Sequence, residues 1–253
     1  MGGKGEKEEM HMFHYVTNQE FLSAMKEDCS DLINQLVQRI NNEGNMEVRA
    51  ELVGSGKRGL ITQKAQDPID LDYNLILLSF KRPYPNGNLA ATRTNWSERQ
   101  IKQYVQERFN FILQKNDWGD CSDSTSVLTT PYQWFKKWPT LKYQIDLAIV
   151  KKDFTSWQRL RHEKTGIVDK DSWYWNQSPD LTEVEEKASR LDHDGLWHHV
   201  QDRYLKKKNE YLTRNDHDHP SFIVYIETIN EIFNRFYRSN GWSMSEGTQY
   251  VRK

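Results

Sequence analysis

Residues 69–77, IDLDYNLIL, alternate strictly between apolar and polar positions, and successive side chains of a β-strand point to opposite faces. Ile69, Leu71, Tyr73, Leu75 and Leu77 therefore share one face, while Asp70, Asp72 and Asn74 share the other. Residues 143–150, YQIDLAIV, repeat the pattern, with Tyr143, Ile145, Leu147 and Ile149 on one face and Gln144, Asp146 and Ala148 on the other. Two such strands demand a sheet with one side closed by a core. Their acidic residues are then left on the opposite side.

A single aspartate on the wet face of a strand needs no explanation. Asp-x-Asp followed by a third aspartate in a matching strand does. Two residues advance a strand by about 6.6 Å, so Asp70 and Asp72 can converge on one locus, and Asp146 joins them if the two strands are neighbours. Unshielded carboxylates this close repel and raise one another's pKa. A cation belongs among them, and hard oxygen donors of this kind favour Mg²⁺, with Mn²⁺ as its substitute.

Upstream lies GSGKRG (54–59), a glycine-rich turn after a strand-like segment, MEVRAELVG (46–54). Such a turn exposes backbone N–H groups to phosphate oxygens. Ser55 can add its hydroxyl, and Lys57 or Arg58 can balance phosphate charge. No Lys-Ser/Thr pair closes a P-loop, and the stretch before Ile69 is short for the crossover helix of a dinucleotide fold.

Gly54-Ser55, then Asp70-Leu71-Asp72 on one strand, then Asp146 on another, resembles the DNA polymerase β-type nucleotidyltransferase superfamily. The resemblance covers roughly residues 30–150. It implies that Asp70, Asp72 and Asp146 are catalytic and hold Mg²⁺, that Asp146 helps deprotonate the acceptor, and that Gly54 and Ser55 bind the β- and γ-phosphates. Fourteen residues lie between Ser55 and Asp70, a long gap for this family, which predicts a displaced turn or an added loop. The implied reaction moves an NMP group from an NTP, ATP first among them, to an acceptor hydroxyl with release of pyrophosphate. A small molecule, a second nucleotide, an RNA end or a protein side chain would all serve as acceptor. The readings of another class are a catalytically silent nucleotide-binding module of antitoxin-like type and a metal-dependent phosphohydrolase.

The remaining sequence fits an α+β chain, a mixed-sheet nucleotidyltransferase core followed by a helical lobe. Apolar residues recur at helical spacing from Thr17 to about Asn42, with Thr17 or Asn18 as cap and Gly44 as stop, and again from Ser97 to about Gln114. KRPYPNG (81–87) reads as a turn and SVLTTPY (126–132) as a further strand. After residue 150 the texture changes to an irregular Trp-rich stretch, DSWYWNQSPD (171–180), and then to helices. Phe222, Ile226, Ile229, Phe233 and Phe236 form the stripe of a helix opened by Pro220 and capped by Asp218 or His219. The expected layout is a mobile tail at 1–12, the catalytic core at 13–155 and a mainly helical lobe at 156–253.

Charge and composition narrow the class. With 35 basic against 36 acidic residues, a surface devoted to nucleic acid is not expected. No apolar run approaches the roughly 20 residues that span a bilayer, and the charged N-terminus lacks a signal-peptide core. Cys29 and Cys121 lie far apart and match no metal or redox motif, so a cytoplasmic protein with two reduced thiols is expected. The clusters LDHDGLWHH (191–199) and DHDHP (216–220) lack zinc spacing and read as caps and loops. Lys187 and Lys206–Lys208 are helical lysines of the kind that reach a triphosphate in the family. The sequence leaves base preference and oligomeric state open.

Overall fold

The computed structural model describes residues 12–81, 96–154, 156–167, 170–216, 219–238, 242–244 and 250–252. The tail at 1–11, the turn at 82–87 and the capping candidate Asp218 lie outside the described residues. In chain order the first elements are β1 (Phe13–Tyr15), α1 (Gln19–Glu43), β2 (Met46–Leu52), α2 (Gly54–Arg58), β3 (Thr62–Lys64), β4 (Ile69–Phe80) and α3 (Glu98–Lys115). Next come β5 (Ser122–Asp123), β6 (Leu128–Thr129), β7 (Gln133–Trp134), β8 (Lys142–Asp153), β9 (Ser156–Glu163) and β10 (Ser172–Gln177). The helices α4 (Thr182–His193), α5 (Trp197–Thr213) and α6 (Ser221–Phe233) follow, then a π-helical turn at Asn234–Arg238 and the short strands β11 (Trp242–Met244) and β12 (Tyr250–Arg252).

The chain divides into two compact units, Val16–Pro179 and a second made of the N-terminal segment through Tyr15 with Asp180–Lys253. In the first unit the sheet runs in the order β10-β9-β8-β4-β2, with β6 and β7 alongside β8 and β5 paired to β6. The β4–β8 ladder is parallel and the others are antiparallel. This is the mixed-sheet α+β architecture that the alternating strands call for.

One face of that sheet carries the core. Leu71, Tyr73, Leu75 and Leu77 of β4, with Tyr143, Ile145, Leu147 and Ile149 of β8, are buried in a single apolar cluster. The cluster is closed by Phe21, Met25, Leu32, Ile33, Leu36 and Ile40 of α1 and by Ile101, Val105, Phe109, Ile112 and Leu113 of α3. Both helices bury the stripe that their spacing predicts. Asn18 caps α1 by accepting from the Phe21 N–H at 3.0 Å, and Gly44 ends it in the left-handed region at φ 68°. Ser97 and Gln100 close α3 with a reciprocal capping box. Tyr143 reaches through the core to donate to Asp28 Oδ2 at 2.8 Å, so its buried hydroxyl is satisfied.

Three local expectations are corrected. The unit boundary falls between Pro179 and Asp180, because β9 and β10 extend the sheet where a helical lobe was expected from 156. The supposedly irregular 171–180 is largely the strand β10: Trp173 stacks on His162 at 4.2 Å and the Trp175 ring lies 4.3 Å from Lys151 Nζ. Its rings pack against sheet neighbours, which masks the period-two pattern behind an apparent cluster of aromatics. At the start of α6, Pro220 is the cap and Ser221 the first helical residue.

In the second unit α6 buries Val224, Ile229, Ile232 and Phe233. Lys187 is buried, with Nζ 2.7 Å from Asn230 Oδ1 and 2.5 Å from Glu183. Lys207 bridges Glu227 and Glu231, each at 3.2 Å. The polar heads of these two lysines thus tie helices together within their own unit. His219 pairs with Asp216 at 3.0 Å and stacks on Tyr211 at 4.1 Å. Among the described residues no helix is long and apolar enough to cross a membrane.

Candidate active site

The polar face of the first unit's sheet gathers the acidic residues. In the parallel β4–β8 ladder Asp72 stands directly opposite Asp146, and Asp70 opposite Gln144. Neighbouring strands are about 4.8 Å apart and opposed residues share a face, so Asp72 and Asp146 stand abreast with Asp70 one pleat along. The apolar positions on either side fix this: turning either strand over would put Leu71 or Ile145 in water.

Each carboxylate has a distinct setting. Asp70 is exposed and accepts from Gln144 Nε2 at 2.8 Å. Asp146 Oδ1 accepts from Thr129 Oγ1 at 2.6 Å, because β6 runs antiparallel beside β8 and sets Thr129 opposite Asp146. Burial, reinforced by the negative charges of Asp146 and Asp70, pushes Asp72 up to about 6, against the pull of Arg159 and Arg58. Asp146 is likewise raised, by burial first, with the Thr129 hydrogen bond and Arg159 opposing.

Arg159 was not anticipated from the sequence. It lies opposite Val150 in the β8–β9 ladder, on the face that Val150 shares with Asp146 by alternation. Its charge acts on both Asp72 and Asp146. The Nε atoms of Arg159 and Arg161, two residues apart on β9, are buried without a hydrogen-bond partner. Sequence reasoning missed Arg159 because β9 carries Leu160 and His162 as its only buried residues, too weak a pattern to read as a strand. Thr129 and Gln144 were within reach of it: both lie in segments that read as strands, but the β6–β8 pairing is not written in either one.

The glycine turn meets the carboxylates directly. Val53 N–H donates to the Asp72 carbonyl at 2.8 Å, pinning the turn to β4. Gly54 follows at φ +63°, and a Cβ built there would lie 2.2 Å from Asp72 Oδ2. No side chain fits between this backbone and that carboxylate. Gly56 also lies close against Leu71, with a built Cβ 2.8 Å from its Cδ2. The long gap before Asp70 is taken up by α2, the buried Leu60 and Ile61, and β3, a segment added between the turn and β4. Arg58 is half-buried and acts on Asp72, Ser55 is half-exposed, and Lys57 is exposed.

The donor chemistry of the three aspartates suits a hard divalent cation. Among the described residues, however, no group of three or more His, Cys, Asp or Glu side chains is placed so as to hold a metal ion. Thr129 and Gln144 each engage one carboxylate, and Arg159 supplies positive charge beside the pair.

No family model and no curated protein matches the chain. Among solved structures it is similar to the CdnE c-UMP-AMP synthase of Rhodothermus marinus with Apcpp and Upnpp, at 12% identity and TM-score 0.47, over 86% of this chain and 72% of that one. It is similar to E. coli MS115-1 CdnC with ATP at 12% identity and TM-score 0.48, over 83% of this chain and 60% of that one. It is also similar to the 3′-deoxy ATP bound form of Vibrio cholerae DncV at 11% identity and TM-score 0.43, over 74% of this chain and 45% of that one. The chain thus spans less than two thirds of the latter two.

Proposed function

We propose that Val16–Pro179 is the catalytic unit of a divalent-metal-dependent nucleotidyltransferase that moves an NMP group from an NTP to an acceptor hydroxyl. The observation that carries this reading is Asp72 abreast of Asp146, with Asp70 one pleat away and the Gly54 backbone against Asp72. Carboxylates forced together at a glycine turn destabilise the fold unless they serve a cation and an anionic substrate.

Asp70, Asp72 and Asp146 would hold Mg²⁺, which when bound supplies charge neutralisation for the triphosphate and activates the acceptor hydroxyl. Gly54, having no Cβ, leaves the turn open for a phosphate to approach, with Ser55, Lys57 and Arg58 beside it. Arg159, and Arg161 two residues along β9, place positive charge on the same face for an anionic substrate. Asp146, oriented by Thr129, takes the proton from the attacking hydroxyl. The acceptor oxygen forms a bond to the α-phosphorus, the bond to the β-phosphate oxygen breaks, and pyrophosphate leaves. Positioning and charge neutralisation account for the rate, as in phosphoryl transfer generally.

A second reading, a nucleotide-binding module without turnover, draws on the cation that Arg159 already supplies and on the lack, among the described residues, of a ready three-carboxylate ligand group. The test is pyrophosphate release from each labelled NTP with Mg²⁺ or Mn²⁺ and a cell extract as source of acceptor, the labelled product being identified by mass. The proposal expects NMP-labelled product and at least a hundredfold loss, on the order of 3 kcal/mol, in Asp72→Asn. Nucleotide binding with no product under either metal would establish the silent module, and orthophosphate in place of pyrophosphate a phosphohydrolase.

A further inference from the structure

The segment that brings Thr129 to Asp146 continues along β8. Thr129 is opposite Asp146, Gln133 opposite Tyr143 and Trp134 opposite Lys142. Opposed residues share a face, so Trp134 and Lys142 lie on the same side of the sheet as Gln144, Asp146 and Asp72. Lys142 lies four steps before Asp146 along the strand, about 13 Å.

At that end of the strand the surface is aromatic. Trp134 is 52% exposed and Tyr132 46% exposed. Their ring centroids are 6.1 Å apart at an interplanar angle of 43°, and Lys142 Nζ sits 4.7 Å from the centre of the Tyr132 ring. The neighbouring Phe135 and Trp138, by contrast, turn inward and pack edge-on to Phe21. An exposed ring by itself is ordinary. Two neighbouring rings, one with the Lys142 ammonium over it, set beside the strand that carries Asp146, make a surface suited to a flat, negatively charged molecule.

We propose that Tyr132, Trp134 and Lys142 form the acceptor subsite, taking a planar heterocycle against the two rings and an anionic group at Lys142. The acceptor is then a nucleotide, and a polycationic sugar is disfavoured by Lys142. Stacking accepts any base because every base has a π-face, so the platform selects for ring and charge rather than for base identity. A nucleotide seated on the rings lies along the same face of β8 as Asp146, with its sugar hydroxyl directed toward the carboxylates. The word acceptor rests on the nucleotidyltransferase reading; the binding surface does not.

Calorimetry on the full chain in EDTA tests the surface, with 5′-AMP, 5′-UMP, adenosine, ribose 5-phosphate and kanamycin as probes. Both nucleotides are expected to bind. Tyr132→Ala/Trp134→Ala should weaken them at least about tenfold, with Trp134→Phe restoring most of the affinity. Lys142→Met should weaken the nucleotides several-fold and leave adenosine within about twofold. Because the rings are exposed, the thermal midpoint should hold in all variants, and Lys142→Met carries the test if the double variant fails to fold. Unchanged nucleotide affinity in the double variant and in Lys142→Met overturns the proposal, as does kanamycin binding that is lost in the same variants. In turnover, an unaltered acceptor KM in the double variant sinks the subsite and spares the nucleotidyltransferase reading. Platform binding that survives with no NTP consumed does the reverse.

Discussion

Replacing Gly54 with alanine puts a methyl group where Asp72 Oδ2 already is. The built Cβ lies 2.2 Å from that oxygen and 2.9 Å from the carboxyl carbon, against a normal contact of about 3.5 Å. The backbone there is at φ +63°, which costs a residue with a Cβ about 1–2 kcal/mol. Relief requires Asp72 to leave its place beside Asp146 or the turn to peel away from β4, so the penalty should total about 2–4 kcal/mol. A carboxylate moved by about 1 Å in a site that works by positioning costs about a hundredfold in rate. Gly59→Ala is the matched control: it has the same backbone sign, φ +69°, with nothing within 4 Å of the built Cβ. It should lose about 1 kcal/mol, a fall of about 2–4 °C in thermal midpoint, and keep its activity. The assays are initial rates of pyrophosphate release and thermal unfolding of both variants. Gly54→Ala with at least half the wild-type rate would refute the reasoning, as would equal loss of activity in the two variants.

Thr129→Val removes the 2.6 Å hydrogen bond to Asp146 at nearly constant volume. It should lower kcat about tenfold with little change in the KM for NTP, and a changed KM with intact kcat would speak for substrate contact instead. Lys102→Met should destabilise the first unit by about 3–5 kcal/mol in chemical denaturation, because the buried Lys102 Nζ lies 2.5 Å from Asp123, which also holds His162 at 2.6 Å; a loss under 1 kcal/mol would contradict this. Glu43 is held below the usual carboxylate range: burial alone would raise it, but hydrogen bonds from Tyr104 at 2.7 Å and Arg108 at 3.0 Å outweigh that. A lowered folded-state pKa gives stability that is present above the ordinary glutamate value and lost as pH falls through the lowered one. The gap in urea midpoint between wild type and Glu43→Gln should therefore be largest near neutrality and close below pH 4; a gap independent of pH would disprove the linkage.

How much of this was legible follows from where each signal is stored. Alternation in 69–77 and 143–150 fixes which residues face the core, and burial of Leu71 and Ile145 leaves Asp72 and Asp146 only one side to occupy. That part of the site is local and could be read. The register that sets Asp72 opposite Asp146 is a property of two strands far apart in the chain, and the sequence could supply it only as a condition. Arg159 depends on β9 pairing with β8, and a strand with one buried aliphatic residue gives no periodic signal of its own. The close approach of Gly54 to Asp72 is likewise invisible in the sequence, where glycine shows only that a side chain is absent. Lys187 looks like any helical cation, and its burial against Asn230 and Glu183 arises from packing that spacing alone does not specify.

The most direct test is crystallographic: Mn²⁺ and a non-hydrolysable NTP are added to the protein and the metal is located by its anomalous signal. The account expects a peak bonded to oxygens of both Asp72 and Asp146, with the triphosphate against the turn at Gly54. A nucleotide bound with no peak there, or metal and triphosphate seated away from these two aspartates, would contradict it.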